Sequence, residues 1–219
     1  MKEIIKPASI DLEPGERLFL EDVSWESYEE LLEELSDRRW RIAYDEGKLE
    51  IMSPSRPHEK IKTLIGRFVE ALTEEMDIDI SSDGSTTFKW KARRKGVEPD
   101  ECYYILNEPA VRGKEDVHLP EDPPPDLAIE VDVYSSSLNK FRIYAALGVS
   151  ELWCYRKGKI EIHLRQKDGS YLRSDKSLNF PFLPMEELER FLELRGSMNE
   201  TPLLKSFQKW VGAHLKRTN

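Results

Sequence analysis

The sequence has little with which to build a metal or disulfide framework. It contains 2 cysteines, Cys102 and Cys154, each alone in an apolar run, and 4 histidines, His58, His118, His163 and His214, scattered along the chain. That excludes the C-x-x-C and Cys/His patterns of zinc sites and points to two buried thiols. No apolar run approaches the ~20 residues of a membrane-spanning helix. The N-terminal stretch has no apolar block of signal-peptide length. A cytoplasmic protein without a membrane partner is therefore expected. No G-x-S-x-G elbow is present, which removes a serine hydrolase of that design. Repeats and low-complexity tracts are missing too. Nor is there an excess of positive charge: 33 Lys and Arg stand against 42 Asp and Glu, a net charge of −9. A domain-wide basic field, usual in phosphate binders, is thus ruled out, but a local basic edge is not.

What is present is globular. The chain has 219 residues, of which 39% are hydrophobic and 10% aromatic, enough for one domain with a real core. "SWESYEELLEELSDRR" reads as a surface helix with Ser24 as N-cap. "WRIAYDEGKLEIMS" reads as a hairpin turning at "DEGK". "SPSRP" is a break, and a strong amphipathic helix follows from about His58 to Met76, with Ile61, Leu64, Ile65, Phe68, Val69 and Leu72 on one stripe. "IDISSDGSTTFKWK" supplies one or two strands and "DECYYI" another. The polar stretch from Leu106 to Pro125 is a loop, since its three consecutive prolines forbid regular structure. "DLAIEVDV" is a central strand by its mostly continuous apolar character. "SSSLNKFRIYAALGV" is a short helix capped by one of Ser135 to Ser137 and ended by Gly148. Three strands and two amphipathic helices complete the chain. This order describes an α/β sandwich around a mixed sheet.

The acids carry the chemistry. Asp100 opens the strand "DECYYI", and Glu130 lies inside "DLAIEVDV" between apolar Ile129 and Val131. Side chains alternate along a strand, so Glu130 and Asp132 share a face. A carboxylate in a central strand is costly unless paired or bound to a cation. If the two strands are neighbours, Asp100 and Glu130 meet, and two carboxylates with a backbone carbonyl and water suit Mg²⁺. Asp132 alone reads as an exposed strand acid. Lys140, just beyond the Glu130 strand, can lean back toward the acids, or it can be a solvated helix lysine. Tyr144 lies one turn on, where it would steady Lys140 or serve as core. His58 faces inward, to touch the site or to pack and cap its helix, and Glu59 is a weaker candidate of the same kind. "FKWKARRKG" packs five cations, Lys89, Lys91, Arg93, Arg94 and Lys95, into nine residues, as a phosphate-holding edge or a solvated loop.

"EPDECYYI" followed by "PPPDLAIEVDVYSSSLNKFRIYAALGVSELWCY" resembles the Uma-type restriction-endonuclease-like family of bacterial proteins, within the PD-(D/E)XK nuclease superfamily. "GKLEIMSPSRPHEKIKTLIGRFVEAL" is similar to that family's opening hairpin and helix. The resemblance runs from about Trp25 to Tyr155. It implies a restriction-endonuclease-like αβββαβ core, a mixed central sheet flanked by helices, spanning about 25–165. An N-terminal helix and hairpin and a strand and helical extension over 166–219 complete a single domain, 1–219. It also implies a Mg²⁺- or Mn²⁺-dependent endonuclease that hydrolyses phosphodiester bonds of nucleic acid, DNA before RNA. By position, Asp100 is the aspartate of "PD" and Glu130 the first acid of (D/E)XK, and both would hold the metal. The place of the motif's lysine holds Asp132, so Lys140 stands in as a displaced catalytic lysine. His58, Asp132 and Tyr144 would support the site, and Lys89, Lys91, Arg93, Arg94 and Lys95 would hold the nucleic-acid backbone. Nucleases of this type often pair, and the apolar faces of the last two helices offer a homodimer contact. The rival is a catalytically inactive nuclease-fold module that binds nucleic acid or a protein partner. The missing in-strand lysine and the net charge of −9 favour it.

Cys102 and Cys154 are expected as free thiols in the purified protein. Mass measurement after alkylation without reductant checks this, and an intramolecular bridge would count against the cytoplasmic expectation.

Overall fold

The computed structural model describes residues 10–84, 86–131 and 138–214. In chain order the elements are β1 (Arg17–Leu20), α1 (Trp25–Glu34), β2 (Arg41–Asp45), β3 (Lys48–Met52), α2 (Arg56–Met76), β4 (Ser81–Ser82), β5 (Phe88–Trp90), β6 (Lys95–Val97), β7 (Glu101–Tyr104), α3 (Glu108–Val111), β8 (Leu127–Val131), α4 (Lys140–Leu147), β9 (Glu151–Arg156), β10 (Lys159–Arg165), β11 (Tyr171–Ser174), α5 (Met185–Glu193) and α6 (Glu200–His214).

Local chemistry explains most boundaries. Ser24 caps α1 by accepting from the Ser27 amide at 3.1 Å. Ser55 does the same for α2 from the His58 amide at 3.4 Å, with Pro57 in the first turn, so α2 begins inside the stretch read as a break. The β2–β3 turn has positive φ at both Glu46 (52°) and Gly47 (101°), the backbone a two-residue hairpin demands. Gly148 ends α4 in the left-handed conformation. The serines expected to cap α4 lie outside the described residues, and the helix starts at Lys140 with Asn139 before it.

Among the described residues the strands form two sheets. One is six-stranded, ordered β11-β10-β9-β8-β7-β4, and mixed because β8 and β9 run parallel while the other neighbours are antiparallel. This is the expected mixed central sheet, with β8 inside it. The other is five-stranded and antiparallel, ordered β1-β3-β2-β6-β5. The basic stretch runs from β5, in the segment read as one or two strands, into β6, which was not read as a strand: β5 and β6 pair with each other, and β6 extends the β2–β3 hairpin. No alternation announces β6, because it is only three residues long.

The layers follow from which face each strand buries. Leu127, Ile129 and Val131 of β8, with Tyr103 and Trp153, pack under α2, α5 and α6. Ala128, Cys102, Tyr104, Leu152 and Cys154 point the other way, toward α4 and the second sheet. A third cluster, Trp25, Tyr28, Leu31, Ile42, Tyr44, Leu49 and Ile51, joins α1 to the far side of the second sheet. The apolar faces of α5 and α6, read as a dimer contact, are instead core: Leu188, Phe191, Leu192, Leu203, Phe207 and Val211 are buried. No described helix is long and apolar enough to cross a membrane.

Gly96 marks the tightest joint between α1 and the second sheet. Tyr28 is fully buried and stacks on Tyr44 with ring centroids 4.7 Å apart, and a Cβ at Gly96 would overlap its hydroxyl. The stacked ring has no room to swing aside. Gly96→Ala should therefore lower unfolding free energy by about 1–3 kcal/mol. Chemical denaturation measures this, and Tyr28→Phe in the same background should recover part of the loss.

Candidate active site

The alternation that builds the layers also places the acids. Glu130 follows Ala128 on the β8 face that looks toward α4 and the second sheet, and Asp100 precedes Cys102 on the same face. The antiparallel register pairs Glu101 with Ile129 and Cys102 with Ala128, so Asp100 comes opposite Glu130 one step beyond the ladder. Oδ2 of Asp100 accepts a hydrogen bond from the Val131 amide at 2.8 Å. The strand register thus brings the two sequence-selected carboxylates to one place. Both are buried, at 1% and 6% exposure.

Each carboxylate is met by cations from other elements. Lys140 Nζ, at the start of α4, lies 2.7 Å from Glu130 Oε2, and the Tyr144 hydroxyl donates to Oε1 at 2.5 Å. Tyr144 therefore holds Glu130 rather than Lys140. His58, in the first turn of α2, puts Nε2 3.0 Å from Asp100 Oδ2 and Nδ1 3.5 Å from Glu59 Oε1. These are ion-pair contacts without hydrogen-bond geometry, and both imidazole nitrogens are buried without a hydrogen-bond partner. Arg41 Nε stands 3.7 Å from Asp100 Oδ1, an oxygen that has no hydrogen bond at all.

The charges follow from these neighbours. Burial pushes the Glu130 carboxyl up; Lys140 opposes this and Asp100 adds to it, so Glu130 titrates above the ordinary range. Burial also acts on Asp100, but His58 and then Lys140 outweigh it and hold Asp100 below its usual value. Two facing carboxyls are thus pushed apart, as adjacent acids with unequal partners are. Burial would lower the Lys140 ammonium, yet Glu130 and Asp100 raise it, so it stays charged.

The second sheet adds residues that sequence reasoning missed. Glu50 of β3 is 1% exposed and receives Arg17 Nη1 of β1 at 2.8 Å. It flanks Leu49 and Ile51, which bury on the opposite face, and its charge reaches Lys140. The signal was available: an acid between apolar residues in "LEI" is the same pattern that singled out Glu130. Arg17, Glu130, Lys140 and Tyr144 line a cavity of about 210 Å³ whose floor includes Leu152 and Cys154.

The basic stretch lies elsewhere. Lys89 pairs with Glu29 at 3.1 Å, Lys91 with Glu26 at 3.7 Å, and Lys95 is buried against Asp45 and Glu46. Arg93 donates to the Ala146 carbonyl at 2.6 Å and covers the Trp90 ring, and Arg94 donates to the Tyr44 hydroxyl at 3.1 Å. Each of the five is engaged with the protein itself, and none is among the described partners of Asp100 or Glu130.

The donor set suits a hard divalent cation. Asp100 Oδ1 is a buried oxygen without a hydrogen bond, and Glu130 brings a second carboxylate to the same face. Among the described residues no group of three or more His, Cys, Asp or Glu gathers around one point. Asp132 lies outside the described residues.

Comparison with known proteins gives a consistent picture. The family model Uma2, described as "Putative restriction endonuclease", matches residues 25–196. A solved structure described as a putative nuclease belonging to DUF820 from Anabaena variabilis ATCC 29413 is similar over 69% of this chain and 90% of that chain. Its sequence identity is 16% and its TM-score 0.48, too low for site inferences. No curated protein matches. The architecture itself is mixed α/β, with one mixed and one antiparallel sheet among the described residues.

His58 supplies a pH signature. Burial alone would lower its pKa, but Asp100 and Glu59 raise it from 6.5 to about 9. A folded value above the unfolded one gives stability that is complete below the unfolded pKa and is lost as pH rises through the folded one. The unfolding free energy of the metal-free protein should therefore decline between pH 6.5 and about pH 9. Denaturant titrations across that window should show a flatter profile in His58→Gln. An identical decline in the variant would assign the effect to another group.

Proposed function

Because the chain belongs to the Uma2 family, a family of the restriction-endonuclease type, we propose that it is a Mg²⁺- or Mn²⁺-dependent endonuclease that hydrolyses phosphodiester bonds of nucleic acid, DNA in the first instance. The observation that carries this reading is the convergence of Asp100, Glu130 and Lys140 from the β7 edge, β8 and α4 on one buried spot.

In this reading Asp100 and Glu130 hold the cation. Bound there, it supplies Lewis acidity to a phosphoryl oxygen and lowers the pKa of a water. His58 and then Lys140 hold the Asp100 carboxyl ionised, and so ready to ligate, without occupying Oδ1 by a hydrogen bond. Tyr144 fixes the orientation of Glu130 through Oε1. The Lys140 ammonium, 16% exposed, is the charge that a phosphate entering the site would meet. It serves as the superfamily lysine from a helix rather than from the strand.

One observation favours the rival reading of an inactive binding module. Both oxygens of Glu130 already have partners, Lys140 and Tyr144, and such a closed pair can be purely structural. Calorimetric titration of Mg²⁺ and Mn²⁺ separates the two, since an interaction module has no need of the cation.

Glu130→Gln should lose both cation binding and cleavage. Lys140→Met should lose cleavage of plasmid and of single strands at low salt while keeping cation affinity, because an ammonium is no metal ligand. The substitution leaves Glu130 without its cation, so a stability loss of about 1–3 kcal/mol should accompany it. Nicking that survives in Lys140→Met would remove the displaced-lysine role. Wild-type protein that neither binds the cations nor cuts would favour the binding module.

A further inference from the structure

The five cations of Lys89–Lys95 are each held by the protein itself, three by acids and two by neutral groups, and none is a described partner of Asp100 or Glu130. The linker between α1 and β2, "SDRRWR", is basic with an aromatic inside it. Arg38 and Arg39 are exposed there, and among the described residues neither has an acidic partner. The Arg38 guanidinium lies over the Trp40 ring, 5.2 Å from its centroid, which holds it at the surface. Both arginines line a groove of about 550 Å³ whose inner wall is Arg41, Glu59, Lys62 and Glu98. Arg41 and Glu59 are the residues that contact Asp100 and His58. The groove thus has Arg38 and Arg39 at its rim and, in its wall, Arg41 and Glu59, which touch Asp100 and His58 behind it.

We propose that this groove, with Arg38 and Arg39 at its rim, is the track that carries the sugar-phosphate backbone of nucleic acid to the Asp100–Glu130 site. The proposal rests on the nuclease reading above and names the surface that reading lacks. Charge selects the occupant: two unpaired guanidinium groups suit paired phosphate oxygens, which they grip in a planar fork. Contacts of this kind position a strand without reading its sequence. Lys62 sits deeper, 12% exposed between Glu59 and Glu101 at 3.5 and 3.6 Å, so the rim arginines make the first contact.

The test is binding, kept apart from cleavage by working in EDTA. The probe is a short fluorescein-labelled DNA duplex, followed by anisotropy over a series of salt concentrations. Each phosphate contact adds about 0.9 to the steepness of log K against log salt, so Arg38→Ala/Arg39→Ala should flatten the slope by about 1.8. Arg38→Lys/Arg39→Lys should restore most of it. Lys205→Ala/Lys209→Ala removes the same charge from exposed positions of α6 and should leave the slope unchanged. Equal flattening in both alanine pairs would indicate a general charge effect and overturn the proposal. So would flattening in Lys89→Ala/Lys91→Ala with none in the arginine pair. These outcomes leave the nuclease reading standing, whereas wild-type protein that binds neither duplex nor single strand at low salt would bring down both.

Discussion

The structure depends on carboxylates buried between two sheets. Asp100, Glu130 and Glu50 are each almost fully enclosed, where an unpaired carboxylate costs several kcal/mol. Each is answered from a different part of the chain. Glu50 takes Arg17 from β1, Glu130 takes Lys140 from α4, and Asp100 faces His58 from α2 and Arg41 from β2. The Asp100 and Glu130 contacts tie the mixed sheet to the second sheet and to α2 and α4, while the Glu50–Arg17 pair joins neighbouring strands within the second sheet.

The rest of the fold insulates this network. On the far side of the mixed sheet, α2, α5 and α6 form an apolar layer around Phe68, Phe191 and Phe207, and the Phe68 and Phe207 rings lie 4.7 Å apart. On the far side of the second sheet, α1 closes the Trp25, Tyr28 and Tyr44 cluster. Between these two apolar layers the local dielectric is low, which strengthens every ionic contact and pushes the facing carboxyls to opposite sides of their ordinary range. The same inequality gives a metal-dependent site one acid that is ready to ligate and one that a cation would have to draw from Lys140.

Much of this was legible in the chain. Helices α1, α2, α5 and α6 announce themselves by a 3.6-residue apolar stripe, and β8 by its apolar run, because those patterns are local. The oddity of Glu130 was legible for the same reason: an acid among buried neighbours demands a partner. Glu50 carried the same mark in "KLEIM" and was not singled out there. Strand β5 lies in the stretch read as one or two strands, but β6 escaped notice because three residues give no period to read, and neither reading of the basic stretch placed Lys95 in a buried pair with Asp45.

By itself the sequence determined the element types, the mixed α/β class and the candidacy of Asp100, Glu130, Lys140 and His58. All of these rest on chemistry within a few residues of each position. The tertiary structure alone decided the partners. That Tyr144 grips Glu130, that Arg17 reaches Glu50, and that Lys89 and Lys91 turn to the acids of α1 while Arg38 and Arg39 have no acidic partner among the described residues are outcomes of sheet register and layer packing. Charge is a property of a residue, but its availability depends on which opposite charge the fold brings within a few ångströms, and that separation is not written in any local run of sequence.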